Sequence, residues 1–156
     1  MKNQRFLLSE EDEEDLTIGL VRLTKNIPAH ELFFSINSIN ESKLKRIDDV
    51  RKEGYYFDYF HSRFETYHFE TQTCFQFISN KSTEHFQKEE ITQLFVDESD
   101  INYLLPNHKD VDYILKTSDT FADFSLILLP ENLMFHIEEF HLGSDEELYH
   151  LIQYYE

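Results

Sequence analysis

Apolar residues fall along the chain in two periods, and the change from one to the other divides it. Leu16, Ile18, Leu20, Val21 and Leu23 form a short β-compatible run closed by Lys25-Asn26, which predicts a strand over 16–24 buried on both faces. Pro28 suits the first turn of a helix. Leu32, Phe33, Ile36 and Ile39 follow at helical spacing, so 28–40 is predicted as an amphipathic helix. Residues 43–52 read as a second, short helix ended by Gly54 as a C-terminal cap.

Past Gly54 the period becomes two. Tyr67, Phe69, Thr71, Thr73, Phe75 and Phe77 alternate with His68, Glu70, Gln72, Cys74 and Gln76, the pattern of a strand with one face on the core and one in water. The aromatic stretch 55–65 precedes it, and a turn near Glu65-Thr66 makes the two a hairpin. Asn80-Lys81-Ser82 reads as a polar loop. Further strands are predicted over 91–96, 103–105 (stopped by Pro106), 111–116 and 134–142. Ser118 or Asp119 is expected to cap a helix over 120–129, with Phe121, Phe124, Ile127 and Leu128 apolar. Ser144 and Glu147 have the spacing of a capping box for a last helix over 145–155.

This order predicts an α+β fold: a largely antiparallel sheet of about five to seven strands with about two to four helices packed mainly on one face. The length of 156 residues, with no repeat and no linker, predicts one domain over 1–156. Residues 9–15 read SEEDEED, so 1–15 is expected to be a solvated, flexible acidic tail, or else a lure for a basic partner.

Charge narrows the partners. Lys+Arg number 14 against 31 Asp+Glu, a formal net charge of −17. The densest basic stretch, Lys43 to Lys52, is interrupted by Asp48 and Asp49, so neither nucleic acid nor an anionic membrane surface is an expected partner. Cys74 is the single cysteine, which forbids an intrachain disulfide. No apolar run has the length of a secretory or membrane segment, and a cytoplasmic location is expected.

Motifs of catalysis are missing: no GxGxxG, Walker loop, GxSxG or HExxH occurs, and no cofactor is implied. Cys74 sits among acids, which disfavours a thiolate nucleophile. His68 with Glu70, and His136 with Glu138, lie two apart on predicted strands, and two such strands side by side would make a His₂Glu₂ metal site; surface histidine is the plainer reading. Tyr55, Tyr56 and Tyr59 exceed what one core face holds, so they are read either as core or as an interface.

From Tyr103 the chain reads YLLPNHKDVDYILK. This resembles the IPExxxVDY family, small bacterial proteins named for that signature. Leu105 stands for the Ile, Pro106 for the Pro, and Val111-Asp112-Tyr113 for the closing triplet, with Asn107 in place of the family's Glu. The segments LTIGL (16–20) and FISNKS (77–82) are similar as well. The resemblance implies no activity, substrate or cofactor, so it carries over no catalytic residue. The signature residues themselves suggest a hairpin. Pro106 would end one strand, 107–110 turn, Val111, Tyr113 and Leu115 point into a core, and Asp112 cap a loop amide from the other face; a binding loop is the alternative.

The expected function is therefore a non-enzymatic cytosolic interaction module, self-associating as a homodimer or binding a protein partner. The alternative is a small ligand-binding protein or enzyme whose site lies between sheet and helices.

Overall fold

The computed structural model describes residues 16–92, 98–119, 121–143 and 146–153. Seven strands form one antiparallel sheet: β1 (Leu16–Val21), β2 (Lys45–Glu53), β3 (Phe57–His68), β4 (Thr73–Ser79), β5 (Glu84–Gln87), β6 (Tyr113–Thr117) and β7 (Glu138–Leu142). Their order is β2-β3-β4-β6-β1-β7, with β5 continuing beside β3 where β4 leaves off. Two α-helices, α1 (Ala29–Ile39) and α2 (Glu147–Gln153), and a 3₁₀ turn (Phe124–Leu126) complete the described elements.

The sheet is covered on both faces, so the α+β class holds while the expected one-sided helix packing does not. Leu32, Phe33 and Ile36 of α1 pack on the face carrying Val21, Phe77 and Leu115. Leu148 and Ile152 of α2 pack on the opposite face, over Ile18, Leu20 and Ile114. Neighbouring residues of the central strands β1 and β6 thus point into two separate cores, which is why Ile18–Val21 and Tyr113–Leu115 do not alternate with polar residues, whereas β4 keeps its alternation, with Phe75 and Phe77 in the α1-side core and Ile78 in the other. Gly19 lies under the α1-side layer; a Cβ there would come within 2.7 Å of the Ile137 Cγ2 methyl.

Several predicted elements are corrected by long-range pairing. Residues 43–52 are not a helix: 45–53 is the edge strand β2, paired along β3. The register shifts between Ile47 and Val50, so three steps on β2 match two on β3 (Arg63 to His61), and this bulge supplies the spacing that mimics a helix. Gly54 is no helix cap. Its missing Cβ leaves room for the Glu98 carboxylate, which a Cβ would meet at 2.7 Å. The hairpin turns at Phe69–Gln72 rather than at Glu65-Thr66, with Gln72 in the left-handed region at φ 56°. Phe69 is therefore on a turn and 81% exposed, whereas Phe75 and Phe77 are buried.

Segment 121–129 contains a single 3₁₀ turn, not a helix: Phe124 and Ile127 are buried three residues apart while Phe121 and Leu128 are exposed. Its cap is Asp123, which accepts from the Ser125 amide at 3.1 Å. The strand expected over 134–142 begins only at Glu138, and that expected over 103–105 is reduced to one bridge between Tyr103 and Lys81. Glu146, not Glu147, accepts the Gly143 N–H before α2, at 2.9 Å. The acidic segment 1–15, most of the strand expected over 91–96, and Ser144 of the capping box lie outside the described residues.

Candidate functional site

The signature segment does not form a hairpin, because β6 pairs with β4 and β1 rather than with 103–105. It crosses the α2-side face and is pinned from beneath by Asn80, a fully buried side chain at the end of β4. Asn80 Nδ2 donates to the carbonyls of His108 and Val111, both at 3.0 Å, and its Oδ1 accepts the Leu105 N–H at 2.8 Å. Its main chain adds two more bonds, to the Asp112 carbonyl and from the Leu104 N–H. One side chain thereby satisfies three backbone groups of a loop that has no ladder of its own.

Asp112 does cap a loop amide: its Oδ2 accepts the Leu23 N–H at 2.8 Å while its own N–H donates to the Val21 carbonyl. Burial holds its carboxyl above the usual range, against the Leu23 bond, which acts the other way. Leu105, Val111 and Tyr113 are buried, but Val111 joins the α2-side core and Tyr113 the α1-side core, so they do not share a face. Arg22, just past β1, bonds Asp110 of the loop at 2.6 Å and Glu138 of β7 at 2.8 Å. The Arg22 bond holds Asp110 below the ordinary carboxylate range.

Between this loop and α2 lies a groove of about 280 Å³. Leu104, Leu105, Phe140, Leu148 and Leu151 give it apolar walls; Lys52, Asn107, His108, Glu146 and Glu147 supply polar groups. Lys52 pairs with Glu147 at 3.6 Å, and the His108 ring stands edge-on to Phe140 with centroids 5.1 Å apart. Pro106 and Asn107 are exposed at its rim.

The metal candidates are not brought together. β3 and β7 are separated by β4, β6 and β1, so His68 and Glu70 lie far across the sheet from His136 and Glu138. His68 Nδ1 lies 2.9 Å from the Thr71 hydroxyl, and Glu138 is engaged by Arg22. Among the described residues no group of three metal-ligating side chains occurs.

Of the three tyrosines, Tyr56 and Tyr59 are buried with Phe57 in a small cluster, so neither can offer its ring to a partner, and only Tyr55 is exposed. The cluster is organised by Glu98, whose carboxylate accepts the amides of Tyr55, Tyr56 and Phe57 at 2.6–2.8 Å. Burial raises the Glu98 pKa, and those three bonds outweigh it, leaving it below the ordinary value. Cys74 donates to Glu65 at 3.0 Å; burial, then that carboxylate, push its thiol up to about 12, the opposite of an activated nucleophile.

Exposed rings collect elsewhere. Tyr67 and Phe69 meet at the β3–β4 turn, with centroids 4.9 Å apart and planes at 82°. Ser118 and Asp119 lie beside the same hairpin: the Ser118 N–H donates to the Cys74 carbonyl and the Thr73 hydroxyl to Asp119. Phe121, two positions after Asp119 in the sequence, is 87% exposed. Sequence reasoning missed this end because it threaded one strand through the turn.

No family model, curated protein or solved structure matches the chain. Among the described residues no helix is long and apolar enough to cross a membrane.

Proposed function

We propose that the protein is a non-enzymatic interaction module of the IPExxxVDY type, and that its contact surface is the ring-bearing end of the sheet at Tyr67, Phe69 and Phe121. The observation that carries this reading is the exposure of Phe69 and Phe121, at 81% and 87% the two most exposed large hydrophobic side chains among the described residues. The acids of the signature segment support it from the other side. Asp110 and Asp112 are spent on Arg22 and on the Leu23 amide, which is the use of a scaffold.

Self-association is the first use proposed for this surface, since contact between two copies would cover rings that water otherwise surrounds. Sedimentation of the wild type against a variant carrying Phe69→Ser and Phe121→Ser tests it. The wild type forms a dimer and the variant does not. Equal behaviour of the two overturns the assignment of this surface.

A further inference from the structure

The groove between the signature loop and α2 has a chemistry of its own, at the opposite end of β6 from Phe121. Its volume of about 280 Å³ suits a molecule of roughly side-chain size. Leu104, Leu105, Leu148 and Leu151 offer an apolar bed for a stem. The charged lining is Lys52, Glu146 and Glu147, an excess of one negative charge, and Lys52 is already occupied by Glu147 at 3.6 Å. Glu146 uses Oε2 for the Gly143 N–H, and among the described residues its Oε1 has no partner. The His108–Phe140 ring pair, edge-on with centroids 5.1 Å apart, adds aromatic surface to the lining. An anion entering here would meet Glu146 and Glu147 on a chain of net charge −17.

We propose that this groove binds a small organic cation, an ammonium or guanidinium on a short apolar stem, with the stem on the leucines and the head group at Glu146 and Glu147. Charge complementarity and the mixed lining favour that occupant over a neutral or acidic one. The proposal does not depend on the ring-bearing end of the sheet, and either can fail without the other.

The test is an amide NMR titration of the full chain with phenylbutylamine, phenylbutanol and phenylbutyrate, which share a stem and differ in head group. The amine is expected to move the amides of Leu105, His108 and Leu148 saturably and to bind about threefold or more tighter than the alcohol, with the carboxylate weakest. Glu146→Gln with Glu147→Gln removes the preference for the amine. Glu31→Gln with Glu70→Gln, the same change of net charge placed on the helix of the opposite face and at the β3–β4 turn, retains it. Equal affinity for all three probes, or shifts that avoid the groove, overturn the proposal. So does tighter binding by a capped arginine peptide than by the amine, which would make the occupant a protein partner. Should the groove variant fail to fold, the ranking of the probes on the wild type decides alone.

Discussion

Asn80 and Asp112 are joined main chain to main chain, the Asn80 N–H donating to the Asp112 carbonyl at 3.1 Å, and the two side chains then reach in opposite directions. Asn80 takes the loop 104–111; Asp112 takes the amide of Leu23 beyond β1. Three non-adjacent stretches of sequence converge on this one peptide contact. They include two of the segments, FISNKS and the VDY triplet, that carry the family resemblance.

Asn80→Ala should therefore be among the costliest single changes. It leaves the Leu105 N–H and the Val111 carbonyl without their side-chain partner, while the His108 carbonyl keeps the Val111 N–H, and each buried polar group left unsatisfied costs about 1–3 kcal/mol. A loss of about 3 kcal/mol or more is expected in denaturant melts. Asn107→Glu, at an exposed position of the same loop, should change stability by no more than about 0.5 kcal/mol. A mild Asn80→Ala would mean that the loop holds itself.

The β3–β4 hairpin supplies a second contrast. Phe77→Ala removes a fully buried ring and should cost about 3–5 kcal/mol, while Phe69→Ala on the exposed turn should be near neutral. Gln72 has a positive φ, which costs a side-chain-bearing residue about 1 kcal/mol, so Gln72→Gly should hold or raise the melting temperature. Equal losses at Phe77 and Phe69 would restore the single continuous strand.

How far the sequence could be read is visible in these same residues. Helix 28–40 and the doubly buried strand at 16–24 were legible because packing there agrees with local period. β2 was not, because its bulge reproduces helical spacing and its partner lies in β3. The turn at Phe69–Gln72 was not, because ring alternation runs straight through it and the positive φ falls on a glutamine rather than a glycine. Asn80 gave no signal at all: a buried asparagine with a full set of bonds and a loop asparagine are the same letter. The groove depended on where α2 lands, which no local pattern encodes.

His61 predicts a pH effect. It is completely buried; its Nδ1 lies 2.9 Å from the Ser79 carbonyl, and its Nε2 3.1 Å from Asn102 Nδ2. A carbonyl and an amide NH₂ suit the neutral ring with the proton on Nδ1. Burial lowers its pKa from 6.5 to about 4. The unfolded chain therefore takes up the proton first. Stability is undiminished above pH 6.5, falls as pH drops from there toward 4, and has no further loss from this group below. The full span is worth about 3 kcal/mol. Carboxylates held low, such as Glu65 and Asp110, lose their contribution below the usual carboxylate range, beneath most of this window. Denaturant midpoints between pH 7 and 5 should fall for the wild type and fall less for His61→Gln. Parallel curves would place the histidine elsewhere.

Salt tests the proposed self-association by its sign. Two copies each carrying −17 repel, so a homodimer must be held by apolar contact at Tyr67, Phe69 and Phe121 against that repulsion. Ions screen the repulsion over a distance of about 8 Å at physiological strength and leave apolar burial intact, so the dimer should tighten between about 0.05 and 0.5 M NaCl. A complex with a basic partner is drawn together by the same charge and should weaken over that range. The two mechanisms therefore move the association constant in opposite directions, and sedimentation of the purified chain separates them. In the Phe69→Ser, Phe121→Ser variant the net charge is unchanged while the apolar contact is gone, so salt should leave it monomeric. A wild type that is monomeric at both salt strengths and at high protein concentration removes self-association and leaves those rings to a partner of another kind.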